Sequence, residues 1–304
     1  MPRRLAAGLA AALSVCAVCG CSAAPAGPSP TPIEAGAPPV TPSHPPAVLV
    51  GSGDIGLCGS PGSELTARLL DHIGGTVFAA GDLAYPSGTA ANLQNCYHPS
   101  WGRHRSRTMP VPGNHEYESP NAAPYFAYFG PNAGPPGLGY YSYDLGAWHV
   151  VALNSEIDIR AGSAQDEWLR ADLAAHAVHC TVAYLHRPRF SSGPHGNNPG
   201  LHDLWGTLYA FGVDIVLSAH DHLYERFAPQ DPAGRADPER GIRQFIVGTG
   251  GAALYPPKAI RPNSERTGSE WGVLALTLRS GEYSWEFVPA EGGRFRDAGT
   301  GSCH

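Results

Sequence analysis

Short apolar runs recur along the chain from residue 47 onwards, and each is bounded by glycine, proline or a polar residue. Runs of this length and composition are typical of buried β-strands. Five of them fall at residues 47–52, 76–80, 109–112, 181–185 and 213–218. The pattern therefore predicts a sheet protein whose strands are separated by short connections and helices.

Other segments show the spacing of helices or hairpins. Apolar residues at helical spacing predict helices at residues 61–73 and 202–211, and Ser163 is the expected N-cap of a third helix that runs to His176. Later apolar runs predict two hairpins and one further strand, at residues 140–145 with 148–154, 273–278 with 283–288, and 244–247. This order indicates an α/β domain, a two-sheet β-sandwich flanked by helices.

The first 46 residues differ from the rest in composition. Two arginines precede an apolar run at residues 5–19, which is shorter than the roughly 20 residues that cross a bilayer. Residues 1–20 are therefore predicted to be an export signal. Residues 18–21 resemble a bacterial lipobox, so Cys21 is the expected lipidated first residue of a surface lipoprotein; an ordinary cleaved signal with a secreted product is the alternative. Residues 21–46 form a proline-rich linker and residues 47–304 the folded domain.

Charge and cysteine content narrow the class further. The 304 residues carry a formal net charge of −6, which argues against nucleic acid as the main partner. Four cysteines follow the linker, an even number that in an exported chain predicts two disulfides, with three possible pairings. We favour Cys58–Cys96 and Cys180–Cys303, the second of which would fasten the C-terminal tail. Free buried thiols are the alternative.

Five predicted strands end in residues that can bind a metal: Asp54, Asp82, Asn114, His186 and His220. Ligands in α/β sheets bind beyond the carboxyl ends of the strands, where several loops converge. Tyr85 and His222 extend the set, since each lies within three residues of one of these positions. Carboxylate, amide and imidazole groups suit first-row metals. A phenol, with an ordinary pKa of about 10, ligates only where a strong Lewis acid displaces its proton, so Tyr85 indicates ferric iron.

These residues stand in five ordered blocks that resemble the calcineurin-like metallophosphoesterases. The blocks are Gly53-Asp54-Ile55-Gly56, Gly81-Asp82-Leu83-Ala84-Tyr85, Gly113-Asn114-His115-Glu116, His186, and His220-Asp221-His222. Tyr85 narrows the resemblance to the purple acid phosphatase branch. Ala219 stands where the family usually has glycine, but it is small and is no candidate ligand. The resemblance implies a four-layer αββα fold and makes residues 47–304 a metallophosphoesterase catalytic domain.

The resemblance also implies a role for each residue. Three would hold Fe(III): Asp54, Tyr85 and His222. Three would hold a divalent ion (Zn, Mn or Fe): Asn114, His186 and His220. Asp82 would bridge the two ions, and His115 and His195 would face the substrate as catalytic residues. The implied reaction is hydrolysis of phosphate monoesters of small organic molecules by a metal-bound hydroxide, with His115, aided by His195, assisting the leaving oxygen.

Several alternatives stay open at this point. The enzyme could be a phosphodiesterase with the same metals, a di-manganese or di-zinc enzyme in which Tyr85 is no ligand, or an inert metal-binding surface lipoprotein. Glu116 either holds a neighbouring histidine in place or lies at the surface. Asp221 is expected to point away from the metals and to be either solvated or hydrogen-bonded. The glycine-rich residues 248–251 are expected to form a tight turn near the site, because no helix follows them as in a dinucleotide loop.

Overall fold

The computed structural model describes residues 44–176 and 180–304. The predicted export signal, the lipid on Cys21 and most of the linker at 21–46 lie outside the described residues and stay predictions. Within the described ranges, none of the helices combines the length and the apolar character that a bilayer crossing requires.

The described residues contain thirteen strands and six α-helices. The strands are β1 Ala47–Ser52, β2 Thr76–Ala80, β3 Thr108–Val111, β4 Tyr141–Leu145, β5 Trp148–Ala152, β6 Thr181–Tyr184, β7 Ile215–Ser218, β8 Tyr224–Phe227, β9 Arg243–Val247, β10 Ser264–Gly268, β11 Gly272–Arg279, β12 Glu282–Pro289 and β13 Asp297–Ser302. The helices are α1 Gly62–His72, α2 Ala90–Asn92, α3 Asn114–Tyr117, α4 Ala123–Phe129, α5 Ala164–Ala175 and α6 His202–Ala210. Every strand and helix predicted from the apolar pattern is present, and the predicted ends agree with the observed ends to within two residues.

The strands form two mixed sheets. The first has the order β13-β12-β11-β1-β2-β3, and the second has the order β10-β8-β9-β7-β6-β5-β4. Strands β1, β2 and β3 run parallel to one another, as do β5, β6, β7 and β9. Parallel strands end at the same edge of a sheet, so the polar residues that follow them are brought together.

The two sheets pack face to face, and helices cover both outer faces. One buried cluster joins side chains of the first sheet, such as Phe78 and Leu276, to side chains of the second, such as Phe245. A second cluster packs α5 and α6 on the outside of the second sheet, and a third packs α1 and α4 on the outside of the first. The predicted four-layer αββα architecture is therefore confirmed.

Two disulfides join distant parts of the chain, and the favoured pairing is confirmed. Cys58 is bonded to Cys96, which links the loop after β1 to the helical segment after β2. Cys180 is bonded to Cys303, which fastens the C-terminal end to the start of β6. The first bond thus connects the loop that carries Asp54 to the connection between β2 and β3, which also contains Tyr85.

Candidate metal centre

Loops from both sheets meet at the carboxyl ends of the parallel strands. Strands β1, β2 and β3 lead into Asp54, Asp82 and Asn114, while β6 and β7 lead into His186 and His220. Contacts cross directly between the sheets: the His220 amide donates to Asp54 Oδ2 at 2.8 Å, and His186 Nε2 lies 3.2 Å from Asp82 Oδ2. The structure therefore brings the residues that end the predicted strands together at one place.

Two groups of donor atoms share one carboxylate oxygen. In the first group the Tyr85 hydroxyl lies 2.7 Å from Asp54 Oδ1, 3.2 Å from His222 Nε2 and 3.3 Å from Asp82 Oδ2. In the second group, His186 Nε2 faces three atoms: Asn114 Oδ1 at 3.1 Å, His220 Nδ1 at 3.1 Å and Asp82 Oδ2 at 3.2 Å. All seven predicted ligands are thus in contact, and Asp82 Oδ2 lies between the two groups.

Backbone carbonyls fix the direction of the two key imidazoles. His186 Nδ1 is 2.9 Å from the Ala80 oxygen, and His222 Nδ1 is 2.8 Å from the Ala253 oxygen. A carbonyl only accepts, so each Nδ1 carries the hydrogen, and in the neutral ring the Nε2 lone pair points into the site. Lone pairs of nitrogen and carboxylate oxygen that converge in this way repel one another unless a metal ion or protons lie between them. The donor set therefore fits metal ions.

Without a metal ion, the carboxylates of Asp82 and Asp54 raise the pKa values of the side chains next to them and so keep those side chains protonated. Burial lowers the pKa of His186, but Asp82 outweighs this effect and raises the pKa to about 10. Asp54 likewise overcomes the burial of His222 and raises its pKa to about 9. Burial, followed by the charge of Asp54, holds the pKa of Tyr85 well above its ordinary value of 10.0. Metal binding at these groups would therefore release protons.

Three of the seven residues have left-handed backbone conformations. The φ angles are 57° at Asp54, 51° at Asp82 and 69° at His220. For a residue with a Cβ this conformation costs about 1–2 kcal/mol. The backbone amide of each of these residues donates a hydrogen bond. For example, the Asp54 amide donates to the Gly81 oxygen at 3.0 Å, and the Asp82 amide donates to Glu116 Oε2 at 2.9 Å. Such strain is characteristic of functional sites.

His115 and His195 flank the donor groups on different sides. The His115 ring packs against Tyr85 at 4.5 Å, its Nδ1 donates to the Pro86 oxygen, and its Nε2 lies 3.7 Å from Asp82 Oδ2. The His195 ring lies 4.2 Å from that of His220, and its side chain is half exposed. Both imidazoles are accessible next to the donor groups.

Comparison with known proteins decides the family. The sequence model of the calcineurin-like phosphoesterases matches residues 49–224, more than half of the chain. The chain belongs to this family. Purple acid phosphatase 21 of Arabidopsis thaliana is 30% identical over 277 residues, which cover 80% of this chain and 60% of that protein. Acid phosphatase type 7 of Homo sapiens is 32% identical over 217 residues, which cover 58% of this chain and 48% of that protein. The chain spans about half the length of the curated relatives it matches.

Solved structures support the same fold. Purple acid phosphatase PPD1 from yellow lupin (Lupinus luteus) seeds superimposes with a TM-score of 0.72 at 22% identity, covering 85% of this chain and 54% of the lupin chain. GAP50, the anchor in the inner membrane complex of Plasmodium, gives a TM-score of 0.68 at 14% identity, covering 85% and 89%. At these identities the likeness concerns the fold alone.

The location of Glu116 in the structure corrects both interpretations from the sequence. Its side chain is fully buried and, among the described residues, forms no hydrogen bond with a histidine ring. Instead, its carboxylate accepts from the backbone amides of Asp82, Leu83, Ala84 and Gly113 at 2.8–3.3 Å. Burial, and then the charge of Asp82, raises the pKa of Glu116. Glu116 therefore holds the loop that presents Asp82.

Asp221 contacts His195 and has the hydrogen-bonding role, one of the two expected from the sequence; it is fully buried and therefore not solvated. The buried carboxylate accepts from the Ser191 hydroxyl and, through Oδ1, from His195 Nδ1 at 2.8 Å and the His195 amide at 3.1 Å.

Residues 248–251 also lie at the site: a Cβ added to Gly248 would come within 2.7 Å of Asp54 Oδ2. Only glycine leaves room for that carboxylate.

Tyr255 is a residue of the site that the sequence did not reveal. Its ring stacks on His222 with centroids 5.0 Å apart, and its hydroxyl donates to the His220 oxygen at 3.1 Å. It comes from the loop after β9, where no apolar strand directly precedes it. The only available signal was an aromatic residue beside two prolines, which is common in surface loops.

Proposed function

We propose that this protein is a metal-dependent phosphomonoester hydrolase of the purple acid phosphatase type. The proposal assigns three residues to Fe(III), namely Asp54, Tyr85 and His222. It assigns three to a divalent ion (Zn, Mn or Fe), namely Asn114, His186 and His220. Asp82 is shared between them. One observation carries the proposal: two groups of converging donor atoms share a single carboxylate oxygen. The fold alone supports the proposal less strongly, because proteins with unrelated functions share the same fold.

When bound, a metal pair supplies positive charge that attracts a phosphate group and acidifies water. The chain's own residues then orient the ester. His115 is fixed by its bond to the Pro86 oxygen, which leaves Nε2 free to face the leaving oxygen. His195 is fixed in the same way by Asp221, at 2.8 Å from its Nδ1. General acid assistance by such a group is worth about 10²–10⁴-fold in rate.

Metal analysis combined with a visible spectrum tests the metal assignment. We expect two metal ions per chain, one of them iron, and a purple or violet absorption from a ferric tyrosinate that is lost in Tyr85→Phe. A colourless and fully active protein without iron would contradict the role of Tyr85. The Tyr117→Phe variant is a matched control, since that phenol bonds Asn154 Nδ2 instead of the candidate ligands.

Turnover distinguishes the candidate functions. We expect p-nitrophenyl phosphate to be hydrolysed faster than the bis ester, and His115→Ala to reduce this rate by about 10²-fold or more. A preference for the bis ester would favour a phosphodiesterase. If His115→Ala left turnover unchanged, the catalytic assignment would be wrong, and absence of turnover in the metal-loaded protein would favour an inert metal-binding protein.

The proposal includes export, by way of a lipid on Cys21 or as a secreted protein. The charged and apolar segments at residues 1–20 support it. If Cys21 is lipidated, the wild-type protein fractionates with membranes and Cys21→Ser moves it to the soluble fraction. If wild-type protein is found in the medium, the ordinary secretory signal is correct.

A further inference from the structure

A cleft of about 280 Å³ opens beside the candidate metal centre, on the side of His195 and His220. Arg187, Asn197 and Asn198 form the rest of its polar lining. No carboxylate side chain lines this cleft among the described residues. A cleft whose polar walls are a guanidinium, amides and imidazoles, next to a site for a phosphate group, fits an anion.

Arg187 is held rigidly at the wall of this cleft. Its Nε and Nη2 bind the Glu156 carboxylate at 2.9–3.0 Å, and the Glu156 side chain is only 7% exposed. The remaining nitrogen, Nη1, lies 3.2 Å from His220 Nε2. The edge of the guanidinium formed by Nε and Nη2 is therefore occupied by Glu156, and Nη1, which carries two hydrogens, is the donor that remains for a ligand. A guanidinium fixed in this way loses little entropy when it binds an anion.

The two asparagines also supply donor groups to the lining of the cleft. Asn197 Oδ1 accepts from the Ser191 amide at 3.0 Å, and Asn198 Oδ1 accepts from the Gly200 amide at 3.0 Å. Because both side-chain oxygens are engaged by backbone amides, the NH₂ groups are the atoms left for a ligand. The cleft therefore offers donors from two segments of the chain and one fixed positive charge.

We propose that this cleft binds a second anionic group carried by the leaving group of the substrate. The preferred substrates would be phosphomonoesters whose leaving group bears a carboxylate or another phosphate, with Arg187 as the specificity-determining residue. The proposal rests on the proposed function, since it places the transferred phosphoryl group at the candidate metal centre. It goes beyond that function because none of the candidate ligands or catalytic histidines distinguishes one leaving group from another.

Binding of two matched, non-hydrolysable phosphonates tests the proposal in the metal-loaded protein. Benzylphosphonate and 4-carboxybenzylphosphonate differ only in the second anionic group. By titration calorimetry we expect the carboxylated compound to bind about tenfold more tightly to the wild type, as one charge-assisted contact allows. Arg187→Gln should remove this preference by weakening the carboxylated compound about tenfold, with a smaller effect on benzylphosphonate. Equal weakening of both compounds would overturn the proposal, since Arg187 would then act on the phosphoryl group or through His220.

Three further variants keep the result interpretable. Arg187→Lys retains the charge and should keep part of the preference. Arg160→Gln removes the same charge from a side chain that is 81% exposed and pairs with Asp158, and it should change nothing. Because Arg187→Gln leaves Glu156 buried without its partner, the double variant Arg187→Gln with Glu156→Gln replaces it if the single variant does not fold.

A kinetic pair separates this proposal from the proposed function. In the wild type we expect kcat/KM to be higher for 4-carboxyphenyl phosphate than for phenyl phosphate, and the ratio to fall toward one in Arg187→Gln. If the wild type hydrolyses neither ester, the proposed function is wrong, while the phosphonate titration still measures the cleft. A wild type that binds the two phosphonates equally well contradicts the cleft proposal, whatever its turnover.

Discussion

Two clusters of imidazoles and carboxylates in this protein are alike by distance but differ in their hydrogen bonds. In one, donor atoms of Asp82, His186 and His220 lie within 4.8 Å of one another; in the other, donor atoms of His149, Asp172 and His176 do the same. Both clusters include fully or almost fully buried imidazoles, since His186 is 0% and His149 is 1% exposed. Distance and burial alone would therefore assign a metal to both.

The partners of each ring distinguish the two clusters. His149 places both nitrogens on carboxylates, Nε2 on Asp172 at 2.8 Å and Nδ1 on Asp144 at 3.0 Å. A single added proton therefore satisfies that ring completely. His186 places Nδ1 on the Ala80 carbonyl and its Nε2 among several other acceptors. Protons on the rings cannot satisfy all of those lone pairs, so this cluster suits metal ions and the cluster around His149 suits a structural ion pair.

The largest effect that separates the clusters is expected from Asp82→Asn. This substitution removes the charge shared by both donor groups, so we expect metal analysis to show loss of at least one ion and turnover to fall by about 10³-fold or more. Asp172→Asn is the matched control in the other cluster and should retain both metals and nearly full turnover. Two ions per chain in Asp82→Asn would refute the bridging role.

A smaller effect on the same centre is expected from Glu116→Gln. In the wild type, backbone amides donate to the Glu116 carboxylate. In the variant the glutamine NH₂ group would face some of these amides, so one or more buried donors would lose their acceptor. We expect the free energy of unfolding to fall by about 1–3 kcal/mol per unsatisfied donor. Metal affinity should fall by about 10–100-fold, as when groups that orient ligands are removed.

Isothermal titration of the metal-free protein with Zn²⁺ and urea denaturation measure these two effects. The matched control is Glu118→Gln. It removes the same charge two residues further along the chain, and the Glu118 side chain is 52% exposed. Unchanged metal affinity in Glu116→Gln would mean that the loop presenting Asp82 keeps its position without this carboxylate.

The sequence predicted the elements that depend on local pattern and missed those that depend on distant contacts. Strands β8, β10 and β13 were not predicted, and β10 and β13 are largely polar or glycine-rich edge strands. In β13, a Cβ added to Gly299 would lie 2.4 Å from the Trp285 ring, and one added to Gly301 would lie 2.4 Å from the Tyr283 ring. These glycines make room for aromatic side chains of β12, and a single sequence does not show that pairing.

The same distinction applies to the site. All the candidate ligands were found because they directly follow apolar strands or lie within three residues of such a position. Glu116, Tyr255 and Arg187 were misread or missed, because each acts on a segment about 30 residues or more away, as Glu116 does on the Asp82 loop. Residue type and spacing reveal which groups can bind a metal, but they do not reveal which groups hold the backbone that presents them.

In the structural cluster, Asp172→Asn should reduce stability without affecting the metals. The carboxylate accepts from His149 Nε2 at 2.8 Å and from the Ser142 hydroxyl at 2.6 Å, and its side chain is only 8% exposed. Loss of a buried hydrogen bond to a charged group costs about 1.5–3 kcal/mol, which urea denaturation of the metal-free protein would measure. Asp144→Asn serves as control, since its side chain is 68% exposed and its loss should cost less than about 1 kcal/mol. A fall in metal content in Asp172→Asn would instead make this cluster a metal site.

The smallest expected effect is a pH dependence of the stability that is lost in Asp172→Asn. Burial lowers the pKa of His149, but hydrogen bonds to Asp172 and Asp144 outweigh it and raise the pKa above its ordinary 6.5. A group whose pKa is raised by folding stabilises the protein fully below its ordinary pKa, and this contribution is lost as the pH rises through the raised value. Asp172 stays ionised throughout, because hydrogen bonds from His149 and Ser142 overcome its burial and lower its pKa.

We therefore expect the difference in unfolding free energy between wild type and Asp172→Asn to be largest below about pH 6.5 and to decrease as the pH rises through the raised pKa of His149. Urea denaturation of the metal-free protein at a series of pH values measures it. Asp158→Asn provides a reference, since Asp158 pairs with Arg160, which does not titrate in this range. A difference that stays constant or grows with pH would show that His149 is neutral in the folded protein. The cluster around His149 would then not be a structural ion pair, and this distinction from the candidate metal centre would be wrong.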